Sequence, residues 1–137
     1  MSHICQALVF RCIDFRLRPG ERSDLLAGVG YPGDSYDLVS LAGSAKDILS
    51  DQPGEVAMIK KQISISLRLH QIKEVIILLH DNCGAYAIAD AEAERQKQVA
   101  DLAKIKEIIN QEFPSLGVKS FIIQGTATGN LSLVPIS

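Results

Sequence analysis

Residues 74–79, EVIILL, form a continuous apolar run that ends in His80, with Cys83 and Gly84 close behind. A run with no polar alternation is what a strand covered on both faces requires. Such cover exists only where a sheet lies between two outer layers, so this one segment constrains the whole chain. The other segments agree. QALVF (6–10) is a short apolar strand, and SYDLVSLAG (35–43) predicts a second one ending at Gly43. Ser44 is placed to cap one or two helical turns over Ala45 to Leu49. A short helix is expected around Glu21 to Ala27, with loop on either side. Val56, Ile59, Ile63, Leu67 and His70 recur at spacings of three and four, which predicts a helix over 55–70 with one apolar face. The longest helix is expected over 90–112, with Val99, Leu102, Ile105, Ile109 and Phe113 as its stripe and Glu92, Glu94, Lys97 and Lys104 facing water. VKSFIIQ and NLSLVPI are two further strands, and Gly129-Asn130 between them suits a hairpin turn. Strands alternating with helices give an α/β three-layer sandwich. Its central sheet is mostly parallel, in the order about 2-1-3-4, with an antiparallel C-terminal edge strand and right-handed crossovers.

The chain has 137 residues, which predicts one domain over 1–137. Hydrophobic residues make up 47% of it, which argues against disorder. A net charge of -2 gives no general attraction to nucleic acid or to an anionic membrane. No apolar run approaches the ~18 residues of a membrane-spanning helix. The start, MSHICQALVF, has neither a basic n-region nor a small-residue cleavage site, so the expected address is the cytoplasm. Three cysteines, an odd number, argue against a disulfide framework and leave core filler, nucleophile or metal ligand as roles.

His80 stands at the carboxyl end of its strand, and CIDFR (12–16) succeeds another strand. In an extended segment, Cys12, Asp14 and Arg16 share one side. If the first strand lies beside the His80 strand, both tips meet at the switch point of the sheet, where sites form. Cys12, His80 and Cys83 are then placed to converge on one ion. Two thiolates and one imidazole leave a fourth position open, the ligand count of a catalytic zinc site. Two thiolates also neutralise Zn2+, so bound water needs help to ionise. Asp14 can accept a hydrogen bond from that water, and the two-pronged guanidinium of Arg16 can hold Asp14 off the metal.

CIDFR with HDNCG (80–84) later in the chain resembles the paired motifs of the β-class carbonic anhydrases, Cys-x-Asp-x-Arg and His-x-x-Cys-Gly. PGDSYDLVSLAGSA (32–45) is similar to the family's segment between them, so the likeness runs from about Ala7 to Tyr86. The resemblance implies Cys12, His80 and Cys83 as zinc ligands and Asp14 with Arg16 as the catalytic dyad. The implied reaction is reversible hydration of carbon dioxide to bicarbonate by zinc-bound hydroxide, with the proton passed to buffer. It also implies a homodimer or an assembly of dimers; the apolar face of helix 55–70 is expected to share in that contact if the sheet does not bury it all. Gly43 and Gly84 are placed to let backbone approach substrate. Ser44 stands where the family commonly has Asn, Ser40 where it commonly has Arg, and the first strand begins without a long N-terminal arm. These departures keep two other readings open: a hydrolase of carbon disulfide or carbonyl sulfide on the same zinc, or a catalytically silent zinc-binding regulatory domain.

Other features take plainer readings. Cys5 reads as buried filler, His3 as solvated, and His70 as a hydrogen-bonded core or interface histidine. GVGYPG matches Gly-x-Gly-x-x-Gly at Gly28, Gly30 and Gly33, but Pro32 lies inside it and no helix is expected after it, so it is no dinucleotide fingerprint. A thiol redox protein would instead join Cys12 to Cys83 and hold no stoichiometric metal.

Overall fold

The computed structural model describes residues 3–17 and 25–136. Four parallel strands, β1 (Ala7–Arg11), β2 (Tyr36–Ser40), β3 (Glu74–His80) and β4 (Gly117–Gln124), make the sheet, and β5 (Ser132–Ile136) adds an antiparallel edge. Their order is β2-β1-β3-β4-β5, as the alternation of elements predicts. The EVIILL run is β3, and every residue from Val75 to His80 is buried.

Two long helices connect the parallel strands. Helix α1 (Pro53–His70) opens on a proline, whose missing N–H costs nothing at a helix start, and closes where Gln71 turns left-handed at φ 52°. Helix α2 (Ala91–Glu112) is capped by Asp90, whose carboxylate accepts the Ala93 N–H at 2.8 Å. The chain moves across the sheet in one direction from β2 to β3 to β4, so right-handed crossovers put both helices on the same face. Lys60 of α1 reaches Glu112 of α2 at 3.4 Å accordingly. On the opposite face lie described residues from the segment between β1 and β2. There Leu17, Leu26 and Tyr31 are buried, and the Tyr31 hydroxyl bonds Glu74 of β3 and Lys119 of β4. Residues 25–27 of the expected short helix are helical, and Glu21 to Asp24 lie outside the described residues.

Several expectations need correction, among them Val99, expected on the apolar stripe of α2 but exposed. Ser44 does not cap a helix: it sits at φ 62° with a buried hydroxyl lacking a partner, and a single 3-10 turn, Lys46–Leu49, begins after it. Within α1, Ile59 and Ile63 are buried in the core, while Met58 and Leu69 stay exposed. Glu94 does not face water; it is 3% exposed, because its carboxylate is engaged by backbone N–H groups of the turn after β3. No described helix is long and apolar enough to cross a membrane.

Candidate metal centre

β1 and β3 are neighbours, so their carboxyl ends deliver CIDFR and HDNCG to one place. Cys12, His80 and Cys83 are buried, and their donor atoms all lie within 4.8 Å of one another. The three cysteines are free thiols.

The imidazole of His80 is oriented by two groups beside it. Its Nδ1 lies 2.6 Å from the Asp81 carbonyl and 3.3 Å from Thr126 Oγ1. A carbonyl can only accept, so Nδ1 carries the proton and Nε2 keeps its lone pair. That Nε2 is buried without a hydrogen-bond partner and points at the two sulfurs. An orphaned buried nitrogen is costly alone and natural as a metal ligand. Cys12 is pushed below the ordinary thiol range, first by the hydrogen bond from Cys83 and then by His80, while the same pairing drives Cys83 upward. Two thiols and a bare imidazole nitrogen competing for one proton form a donor set that a divalent cation satisfies, and the set fits zinc.

Asp14 borders this cluster, with its Oδ2 3.7 Å from His80 Nε2. Arg16 grips it in fork geometry, Nε to Oδ1 at 3.0 Å and Nη2 to Oδ2 at 2.7 Å, and the Arg16 backbone N–H adds a bond to Oδ1 at 2.9 Å. The Arg16 hydrogen bonds bring the Asp14 carboxyl down to about 2. Arg16 also donates to Asn82 Oδ1 at 2.7 Å and to the Asn82 carbonyl at 2.9 Å, tying together segments 66 residues apart. Gly43 adopts φ +77° and directs its N–H at Cys12 Sγ across 3.5 Å; a Cβ there would press on Lys46 and Ala85. Gly84 borders open space.

Glu94 owes its burial to this turn. Its carboxylate accepts the N–H of Asn82 at 2.8 Å and of Cys83 at 2.9 Å, so α2 holds HDNCG from beneath. One helical turn on, Gln98 donates to the His80 carbonyl at 2.8 Å. Asp101 accepts from the Tyr86 hydroxyl at 3.0 Å and from Lys97 at 2.7 Å. On the other side, the Asp81 carboxylate accepts the N–H groups of Gly125 and Thr126, each at 3.0 Å, and fixes the start of the β4–β5 connection.

A mostly parallel α/β sheet with a buried pair of cysteines and a histidine at its switch point is the arrangement of the β-carbonic anhydrases. The chain belongs to that group: residues 2–128 match the family model described as "Putative carbonic anhydrase". Among curated relatives it is similar to "Uncharacterized protein RC0076" of Rickettsia conorii, 34% identical over 126 residues, and to a Rickettsia bellii protein, 32% identical over 124. Each alignment covers 85% of this chain; the chain spans 66% of the first relative's length, less than two thirds, and 74% of the second's. Among solved structures, β-carbonic anhydrase CafD of Aspergillus fumigatus superposes with a TM-score of 0.65 over 95% of this chain and 89% of its own, at 14% identity. A structure described among tetrameric β-carbonic anhydrases from Sordaria macrospora gives 0.63 over 97% and 81%, at 11% identity. Identities this low speak to the fold.

Proposed function

We propose that this chain, acting as a single domain, catalyses reversible hydration of carbon dioxide to bicarbonate at a zinc ion held by Cys12, His80 and Cys83. The observation that carries the reading is the position of Asp14, beside the free Nε2 of His80 and gripped on both oxygens by Arg16. Zinc held there would lower the pKa of a bound water far below the roughly 15.7 of bulk water and, with help from its surroundings, supply a nucleophile in neutral solution. Asp14 offers a fixed hydrogen-bond acceptor that orients the attacking oxygen. Arg16 keeps that carboxylate ionised and stops it from swinging onto the metal position. The Gly43 N–H supports the Cys12 sulfur, and the open space at Gly84 leaves room for a small linear substrate.

Free thiols at the site suit a cytoplasmic address. Ile13 and Phe15, on the turn that carries the dyad, are 62% and 88% exposed. Apolar groups so open beside a site suit cover by a second copy of the chain, so the homodimer is part of the proposal.

Stopped-flow hydration assays on wild type and Asp14→Asn, with zinc measured on the same samples, test the reading. The expected outcome is an active wild type and a variant slowed by roughly 10²–10⁴-fold at equal zinc content. Two equally inert proteins, both loaded with zinc, would overturn it in favour of a binding domain.

A further inference from the structure

A second cluster of metal-ligating side chains lies at the other end of β1. Cys5, Asp37 and His70 bring a thiol, a carboxylate and an imidazole within 4.8 Å of one another. They come from three places in the fold: Cys5 precedes β1, Asp37 is in β2, and His70 ends α1. Seven residues of extended chain separate Cys5 from Cys12, roughly 23 Å, so this cluster is independent of the first.

We propose that Cys5, Asp37 and His70, closed by His3, form a second, structural zinc site at the amino-terminal edge of the sheet. The chemistry of the donors selects the ion. A thiolate with an imidazole disfavours calcium and magnesium and suits zinc, and one thiolate with one carboxylate balances the charge of Zn2+. Bonds of about 2.0 Å to nitrogen and 2.3 Å to sulfur put tetrahedral donors roughly 3.3–3.8 Å apart, so zinc would open the 2.6 Å contact between His70 and Asp37 while drawing in donors that already lie within 4.8 Å of one another. An ordinary His-Asp pair would account for the 2.6 Å contact between His70 Nδ1 and Asp37 Oδ2. That pair leaves the sulfur over: Cys5 Sγ donates to the Ala7 carbonyl at 3.6 Å and still lies within 4.8 Å of both other donors. Ser66 of α1 donates to Asp37 Oδ2 at 2.6 Å, the kind of outer partner that orients a ligating carboxylate. His3 supplies the fourth donor: its ring centroid is 6.3 Å from that of His70, within reach by a side-chain rotation. On binding, the Cys5 thiol proton leaves to solvent, the Nδ1–H bond from His70 to Asp37 breaks as the ring shifts its one proton to Nε2, and Nδ1 takes the metal. Four protein ligands leave no open position, so the site ties the entry of β1 to β2 and α1 and does no chemistry.

Elemental analysis of protein purified with zinc tests this. Wild type is expected to hold two zinc ions per chain, Cys12→Ser one, Cys5→Ser one and His70→Ala one. The Cys5→Ser and His70→Ala proteins keep the wild-type hydration rate and lose thermal stability, and His3→Ala loses the second zinc to a chelator before wild type does. A cobalt(II) arm guards against variants that fold poorly: cobalt-loaded Cys5→Ser keeps the two-thiolate charge-transfer band, and wild type adds to it a one-thiolate contribution. One zinc per chain in wild type, unchanged in Cys5→Ser, overturns the proposal. So does an identical cobalt spectrum in the two proteins. An inert wild type bears on the first site alone, because this proposal is read from the one zinc that Cys5→Ser loses relative to wild type.

Discussion

Glu94 shows how much one side chain can decide. Its two carboxylate oxygens take the N–H groups of Asn82 and Cys83, the turn that presents a candidate ligand. Glu94→Gln offers one oxygen and sets an amide N–H against a backbone N–H, so about 1–3 kcal/mol of stability is expected to be lost, read by denaturant melts, with zinc held less tightly. Asp14 makes a second case. Arg16 lowers its carboxyl from the ordinary 3.8 to about 2, so ionised Asp14 stabilises the fold above 3.8 and that contribution disappears as pH falls through 2. In metal-free Arg16→Ala, carboxyl NMR is expected to find the Asp14 midpoint moved up toward 3.8. Asp14 and Arg16 are legible in the sequence through the Cys-x-Asp-x-Arg pattern, although the extended segment expected there is a turn, in which the Leu17 N–H bonds the Asp14 carbonyl at 3.0 Å. Glu94 is not, because a charged residue in a helix is ordinarily given to water. A signal exists all the same: Glu94, Gln98, Asp101, Leu102, Ile105 and Ile109 succeed one another at helical spacing, so the buried stripe simply turns polar beneath the site. Cys5 reads as filler for a related reason, since its neighbours Asp37 and His70 are distant in the chain and meet it only through the sheet.

Elements are more legible than single contacts. β3 announces itself by its unbroken apolar run, and α1 by its period; the starts of both helices fall within two residues of expectation. Burial of Ile59 and Ile63 supplies much of what holds α1 to the sheet. Ile63→Ala is expected to cost about 2–5 kcal/mol by chemical denaturation while leaving the hydration rate per folded molecule unchanged, because α1 carries none of the three candidate ligands of the first site. The short turn after Gly43 escapes pattern reading. Gly43 and Ser44 both take positive φ, and the Gly43 N–H meets the Cys12 sulfur, a contact from a residue 31 positions away that no local pattern reveals.

For the whole molecule, the arrangement of strands does what no local motif can. Placing β1 between β2 and β3 joins two motifs that are far apart in sequence, and Arg16 fastens them across that gap. The exposed pair Ile13 and Phe15 makes quaternary structure a testable matter. Light scattering after size exclusion is expected to give twice the mass of one chain for wild type and a single chain mass for Phe15→Glu. The β4–β5 connection carries a different consequence. Its first two residues, Gly125 and Thr126, are clamped by Asp81, the neighbour of His80, whereas Ala127 to Gly129 are exposed. Descendants of this chain are therefore free to lengthen the loop after Thr128, and a laboratory could graft an epitope or a fluorophore there, while a single extra residue before Thr126 would tug on the imidazole itself.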